Sequence, residues 1–172
     1  FYQPDMRGVT KNVMLRALAG ARSLVEVKDL MRRVRPSLGF ALSVVSKKDR
    51  QAIVIERTPR SMHVHAGREA VVSTNHSLAP RAHAHVFGGM HLQESKFRAR
   101  EVRRLLGGGD TVAAATRALA QTPLVRDSYH GPWQSMTIAT TIADLDKKKF
   151  GIKIWGPHHP TWEWFSIPQA SD

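Results

Sequence analysis

The sequence predicts an α+β fold from three observations. Apolar residues recur at helical spacing near the start, switch to a period of two from Phe40 onward, and then pass through helical and alternating spacing once more. The resulting order is helices, strands, helices, strands.

The first helix begins where Thr10 can cap a segment carrying Val13, Met14, Ala17, Leu18 and Ala21 on one face. Ser23 and Glu26 form a capping-box pattern ahead of Val27, Leu30, Met31 and Val34, and Pro36 stops this second helix. Short β-prone runs follow at Phe40–Ser46, Gln51–Arg57, residues 61–65 and residues 70–74, separated by Lys47-Lys48-Asp49 and Thr58-Pro59-Arg60. Their spacing describes an antiparallel meander and leaves no room for crossover helices, which argues against a parallel Rossmann-type sheet. After a loop rich in Pro, His and Gly over residues 78–90, a helix is expected at residues 93–106, ended by Gly107-Gly108-Gly109. Asp110 can cap a further helix over residues 111–121, before Pro123. Met136, Ile138, Thr140 and Ile142 alternate along one strand, residues 144–148 turn, and Phe150, Ile152 and Ile154 alternate back. With no internal repeat or low-complexity tract, residues 1–172 read as a single domain.

Composition fits a folded core, with 42% hydrophobic and 23% charged residues. The charge is less ordinary: 26 Lys and Arg against 14 Asp and Glu give +12. Such a field favours anionic partners, among them nucleic acid, acidic membrane surfaces, phosphorylated substrates or an acidic companion chain. A solvated basic surface explains it equally well. Cysteine is absent, so the chain has no disulfide, no thiolate metal site and no cysteine nucleophile. No apolar run approaches the ~20 residues that span a bilayer, and no charged-then-apolar leader is present. A soluble chain is expected, with the cytoplasm the favoured compartment. The start at Phe1 rather than Met suggests a processed product or a fragment.

Four constellations carry possible chemistry. In Val71-Val72-Ser73-Thr74-Asn75-His76-Ser77 an apolar strand runs into polar side chains, and an Asn amide on such a platform can donate to a developing oxyanion. The bland reading is an Asn-containing turn. Two His-x-His pairs, His63/His65 and His83/His85, put imidazoles on one strand face, yet no third ligand is evident. They read as surface histidines, with no metal and no cofactor. Lys96, Arg100 and Arg104, widened by Arg98 and Arg103, stack along one helix face, but Glu94 and Glu101 interrupt them. A solvated face is favoured there over a nucleic-acid surface. The aromatic tail over residues 155–165, with Trp162, Trp164 and Phe165, reads as a core seal. There is no G-x-S-x-G elbow, no P-loop and no H-E-x-x-H.

Across most of its length the chain resembles the acyl-coenzyme A:6-aminopenicillanic acid acyltransferase family of N-terminal-nucleophile (Ntn) hydrolases. The resembling segments are GVTKNVMLRALAGARSLVEVKDLMRR, QAIVIERTP, VVSTNHS, ESKFRAREVRRLL and MTIATTIADLDKKKFGIKIWG. The most specific combination is STNHS, followed by a Ser-x-x-Arg helix and a late Asp-turn hairpin. The resemblance implies a four-layer αββα sandwich of which residues 1–172 are the C-terminal part. It implies autoproteolysis that exposes an N-terminal cysteine, whose thiol attacks an amide or thioester with its own α-amino group as base. Asn75 is then expected in the oxyanion hole, with Thr74, His76, Ser95 and Arg98 supporting the site or touching substrate.

The family's cysteine and its following strands would lie ahead of Phe1, and Phe1 cannot be a nucleophile. A companion chain or upstream segment carrying that cysteine is therefore an expected partner, beside a small acyl substrate. The isolated chain would expose sheet edges. The alternative is a catalytically inactive relative that serves as a basic binding or scaffold protein for nucleic acid or a large anionic assembly.

Overall fold

Ser23 begins the best-defined helix. Its side chain accepts the Glu26 N–H at 3.2 Å, starting α2 (Leu24–Arg33). The Glu26 carboxylate reaches back to the Arg22 N–H at 2.8 Å, one residue earlier than a strict capping box requires. α1 (Lys11–Leu18) starts after Thr10, whose side chain makes no capping bond. Both helices turn an apolar stripe inward: Met14 from α1 and Leu24, Val27 and Met31 from α2. The computed structural model describes residues 4–67, 71–79, 90–106, 112–121, 124, 137–155 and 161–167.

That stripe covers one face of an antiparallel sheet made of β1 (Phe40–Ser46), β2 (Gln51–Arg57) and β3 (Met62–Ala66), in that order. Phe40 pairs with Arg57 and Ser46 with Gln51, while Ile53 pairs with Ala66 and Arg57 with Met62. The central strand is buried on both faces from Ile53 to Arg57. With a period of two, Ile53 and Ile55 join Phe40 under the helices, while Val54 and Glu56 point the other way. Met31 and Ile55 are fully buried, each contributing about 1.5–3 kcal/mol of apolar transfer.

Turn chemistry ties sheet to helix. In the β1–β2 turn, the Asp49 carboxylate accepts the Ser46 hydroxyl at 2.6 Å and the Leu24 N–H at the start of α2 at 2.9 Å. These bonds, the Ser46 hydroxyl first, hold the Asp49 pKa below its ordinary value. Arg50 completes the turn at φ 49°, a left-handed position. After β2, the Thr58 hydroxyl accepts the N–H groups of Arg60 and Ser61, fixing the predicted 58–60 turn.

The segment before α1 lies along residues 35–37, with the Val9 N–H on the Arg35 carbonyl at 2.8 Å and the Ser37 N–H on the Val9 carbonyl at 2.8 Å. This approach leaves no space beside Gly8, where a Cβ would stand 2.4 Å from the Pro36 carbonyl carbon and oxygen and 2.5 Å from the Ser37 nitrogen. All three atoms are backbone. Gly8→Ala should therefore cost about 1–3 kcal/mol, lowering the thermal midpoint by about 2–4 °C for each kcal/mol. At Gly20 the nearest atom is 3.8 Å away, so Gly20→Ala is the matched control. Equal melting of the two variants would refute the steric reading.

The fourth predicted strand is a correction. Residues 71–74 form no strand, and Thr74 at their end is held by its side chain, whose hydroxyl bonds Ser95. α3 (Met90–Leu106) begins one turn earlier than expected, and α4 (Val112–Ala118) is shorter than the 111–121 expectation. Asp110, Met136, His83 and His85 lie outside the described residues.

The chain divides into two compact units, residues 1–99 and 100–172. In the second, β4 (Ala139–Asp144), β5 (Lys149–Ile154) and β6 (Glu163–Ser166) form a second antiparallel sheet in sequence order. The Asp144 carboxylate accepts the Asp146 and Lys147 N–H groups, and Lys148 takes φ 51°, making the predicted turn. β6 revises the reading of the aromatic tail. Trp164 packs on Gly151 of β5, where a Cβ would fall 2.8 Å from the indole, but it stays 40% exposed and Phe165 52%. Within the described part of the tail, residues 163–166 are a strand with an exposed aromatic surface and not a core seal. Trp155 donates its indole N–H to Thr140 at 2.8 Å, with the Lys153 ammonium 4.3 Å from its ring. No helix among the described residues is long and apolar enough to cross a membrane.

Candidate functional site

Thr74 ends the 71–74 stretch, and Asn75 and His76 lead from it into a loop at residues 77–79. Thr74 donates its hydroxyl to the Ser95 backbone carbonyl at 2.9 Å and lies 2.9 Å from the Ser95 hydroxyl. His76 Nδ1 lies 2.9 Å from that same hydroxyl and 3.0 Å from Thr74 Oγ1. The three polar atoms form a closed triangle whose donors depend on the imidazole tautomer. Ser95 is only 2% exposed and His76 8%, so this cluster anchors the segment to α3 rather than offering an attacking group.

Three residues along α3 from Ser95, Arg98 shares its helix face. Arg98 Nη2 approaches Asn75 Oδ1 at 3.5 Å, the long end of a hydrogen bond. Burial lowers the Arg98 pKa, and its Nε is buried without a hydrogen-bond partner among the described residues. Arg98 thus turns inward, away from the exposed Lys96, Arg100, Arg103 and Arg104 that make up the rest of the predicted basic stripe. Asn75 is exposed. With Oδ1 toward the guanidinium, the NH₂ end of its amide faces away from Arg98. All five residues singled out from the sequence, Thr74, Asn75, His76, Ser95 and Arg98, therefore gather at one place.

Glu56 was missed by sequence reasoning. It is 1% exposed on the central strand, on the face opposite the helices. Its carboxylate accepts the Leu78 N–H at 2.5 Å, the Ser77 hydroxyl at 2.7 Å and the Ala79 N–H at 3.0 Å, and meets His65 Nε2 at 3.2 Å. Burial alone would raise its pKa, but the bonds from Leu78, Ser77, Ala79 and His65 prevail and hold it below the ordinary value. The signal was available: Glu56 is a lone carboxylate at the end of the apolar run Ala52-Ile53-Val54-Ile55, where a charge must find partners. His65 spends a ring nitrogen on this carboxylate. Among the described residues no group of three or more His, Asp or Glu side chains is placed to hold a metal ion.

The arrangement can present one exposed amide from a segment fixed on both flanks. That suits stabilisation of negative charge on a substrate oxygen and supplies no nucleophile by itself.

Comparison with curated proteins found no match. The family model described as acyl-coenzyme A:6-aminopenicillanic acid acyl-transferase matches residues 2–158, taking in both sheets up to β5 and the whole of the site. That match supports a function of acyltransferase or hydrolase type in general terms. On that coverage, this chain belongs to the acyl-coenzyme A:6-aminopenicillanic acid acyl-transferase family.

Proposed function

We propose that this chain supplies the oxyanion side and pocket of an Ntn-type amidohydrolase or acyltransferase acting on an acyl amide or thioester. The observation that carries the reading is Asn75, an exposed amide whose oxygen faces Arg98 within a segment otherwise held by buried bonds. In this reading the attacking thiol belongs to an N-terminal cysteine on a companion chain or upstream segment, since these 172 residues contain none.

The α-amino group takes the thiol proton as sulfur bonds to the substrate carbonyl carbon, and the C=O pair moves onto oxygen. Asn75 Nδ2–H donates to that oxyanion, where a neutral carbonyl would accept more weakly. Collapse re-forms C=O and expels the amine, which takes the proton from the α-ammonium, or a thiol. Water or a second amine then bonds to the acyl carbon as the α-amino group takes its proton, and the C–S bond breaks with the sulfur recovering that proton. Arg98 holds the amide orientation, and Thr74, His76 and Ser95 hold its backbone.

The finer fold belongs to the same proposal: one Ntn-type domain with a four-layer αββα sandwich. The family match and the order of helices, strands, helices and strands support it. So do the two three-stranded sheets, whose outer strands β1, β3, β4 and β6 pair on one side only among the described residues. No comparison supports the basic-scaffold alternative.

Asn75→Ala in the full-length protein should lower turnover on the order of 10²-fold with the fold intact. Unchanged turnover would remove Asn75 from the oxyanion hole. Intact-mass measurement and N-terminal sequencing of everything that copurifies should reveal a chain beginning with Cys. If every copurifying chain begins with another residue, the cysteine mechanism fails.

A further inference from the structure

We infer that Glu56 is a positioning residue for the acyl transfer proposed above: through residues 77–79 it sets where the Asn75 amide stands. The inference rests on that reading and concerns a residue on a different element from the site itself.

Three of the Glu56 carboxylate's four partners, the Ser77 hydroxyl and the Leu78 and Ala79 N–H groups, come from one three-residue loop. A carboxylate 1% exposed makes such bonds in a medium that screens them little, and charge-assisted bonds are about twice as strong as neutral ones. The same side chain extends from the central strand, paired on both edges and packed on both faces, so the anchor point is rigid.

Asn75 stands two residues before Ser77, within about 7.6 Å of it along the chain. On its other flank Thr74 is bonded to Ser95, and His76 between them shares that cluster. Asn75 is the exposed residue between two buried clamps, one on α3 and one on β2. The α3 cluster holds both neighbours of Asn75, and the Glu56 clamp holds the residues that follow them, so the two together define the amide's position and tilt. An oxyanion donor misplaced by about 1 Å can lose on the order of 10²-fold in rate. Releasing the Glu56 clamp should therefore appear in catalysis, beyond any loss of stability.

His65 completes the carboxylate's shell from β3 at 3.2 Å, with its side chain 28% exposed. Ser77 is fully buried, and its hydroxyl also accepts the Ala79 N–H at 3.1 Å. Ser77→Ala thus loosens the same clamp without leaving a buried charge unpaired, and it serves as the milder variant if Glu56→Gln folds poorly.

The test is a double-mutant cycle in the full-length protein, using p-nitroanilides of phenylacetic and hexanoic acids as probes. Rates are normalised to the folded fraction by circular dichroism. Glu56→Gln should lower kcat about 10-fold with KM changed less than about 2-fold, and Ser77→Ala about 3-fold. Both losses should vanish in an Asn75→Ala background, because a residue that acts through Asn75 has nothing left to position. A purely structural residue gives losses that multiply with that of Asn75→Ala, and this result would overturn the assignment. Wild-type kcat in Glu56→Gln, beside an impaired Asn75→Ala, would overturn it too while leaving the oxyanion reading intact. If Asn75→Ala itself turns over like wild type, the oxyanion reading is what fails.

Discussion

Glu56→Ala should destabilise the protein by about 3–5 kcal/mol, through the loss of donor partners rather than of apolar area. The substitution removes the acceptor of the Leu78 N–H and of the Ser77 hydroxyl, and leaves the Ala79 N–H with the Ser77 hydroxyl alone. Each buried donor left without an acceptor costs about 1–3 kcal/mol, and relaxation of the loop toward water recovers part of the sum. Glu56→Gln keeps the volume and one acceptor oxygen but turns an NH₂ toward groups that are themselves donors, so it should fall between wild type and alanine. Denaturation is best followed by far-UV circular dichroism, which reports directly on the helices and sheets.

Acid provides the second signature. The folded-state pKa of Glu56 lies below its ordinary 4.5. The ionised carboxylate therefore contributes stability that is fully present above about pH 4.5 and is lost as pH falls through the lower folded-state value. The gap between wild type and Glu56→Gln should narrow over that acidic window. Asp5 and Asp49, also held below their ordinary values, keep both proteins acid-sensitive to the same extent. A gap that stays constant from neutral pH to pH 3 would show that the carboxylate's charge is not what the 77–79 loop needs.

Elements whose signal is local were legible in the sequence. β1 and β2 fall at the predicted residues because alternation, a short polar turn and β-branched side chains agree there. Ser23 capped α2 as its pattern required, and the Asp144 turn closed the late hairpin. What failed depended on partners distant in sequence. Val71 and Val72 look like a strand by propensity, yet among the described residues no strand pairs with residues 71–74, and a carboxylate more than twenty positions earlier satisfies the loop that follows. The aromatic tail looked like a core seal because Trp and Phe usually bury, whereas alternation along β6 leaves Trp164 and Phe165 partly in solvent. Pattern and resemblance single out the five candidate residues, but Arg98 also reads as part of a solvated stripe. Its contact with Asn75 and its buried Nε set it apart from the exposed Lys96 and Arg100. Glu56 had a readable anomaly, a charge in an apolar run, with nothing nearby in sequence to say which donors it would meet.

Arg57→Ala should cost as much as Glu56→Ala, about 3–5 kcal/mol, by the complementary mechanism. The Arg57 guanidinium is buried and bonds only carbonyls: Nε to Met31 at 2.8 Å, Nη2 to Val34 at 3.2 Å, and Nη1 to Ser61 at 3.0 Å and to Thr58. Burial, with Arg35 adding repulsion, lowers its pKa, yet an arginine stays charged. Two acceptors belong to the C-terminal end of α2, where unsatisfied carbonyls and the helix dipole both favour a cation. The other two belong to the 58–61 turn, so one side chain fastens helix and turn to the end of β2. Arg57→Lys cannot replace it, because one ammonium cannot reach four carbonyls along the planar fork of a guanidinium. Arg57→Met separates hydrogen bonding from packing: it keeps much of the stem and should still lose most of the stability. If Arg57→Met melts with wild type, the stem and not the bonds holds α2. Because Arg57 projects to the face opposite Glu56, its variants should leave the Asn75 segment in place. Their residual activity per folded molecule should therefore match wild type, even as the Glu56 variants fall below it.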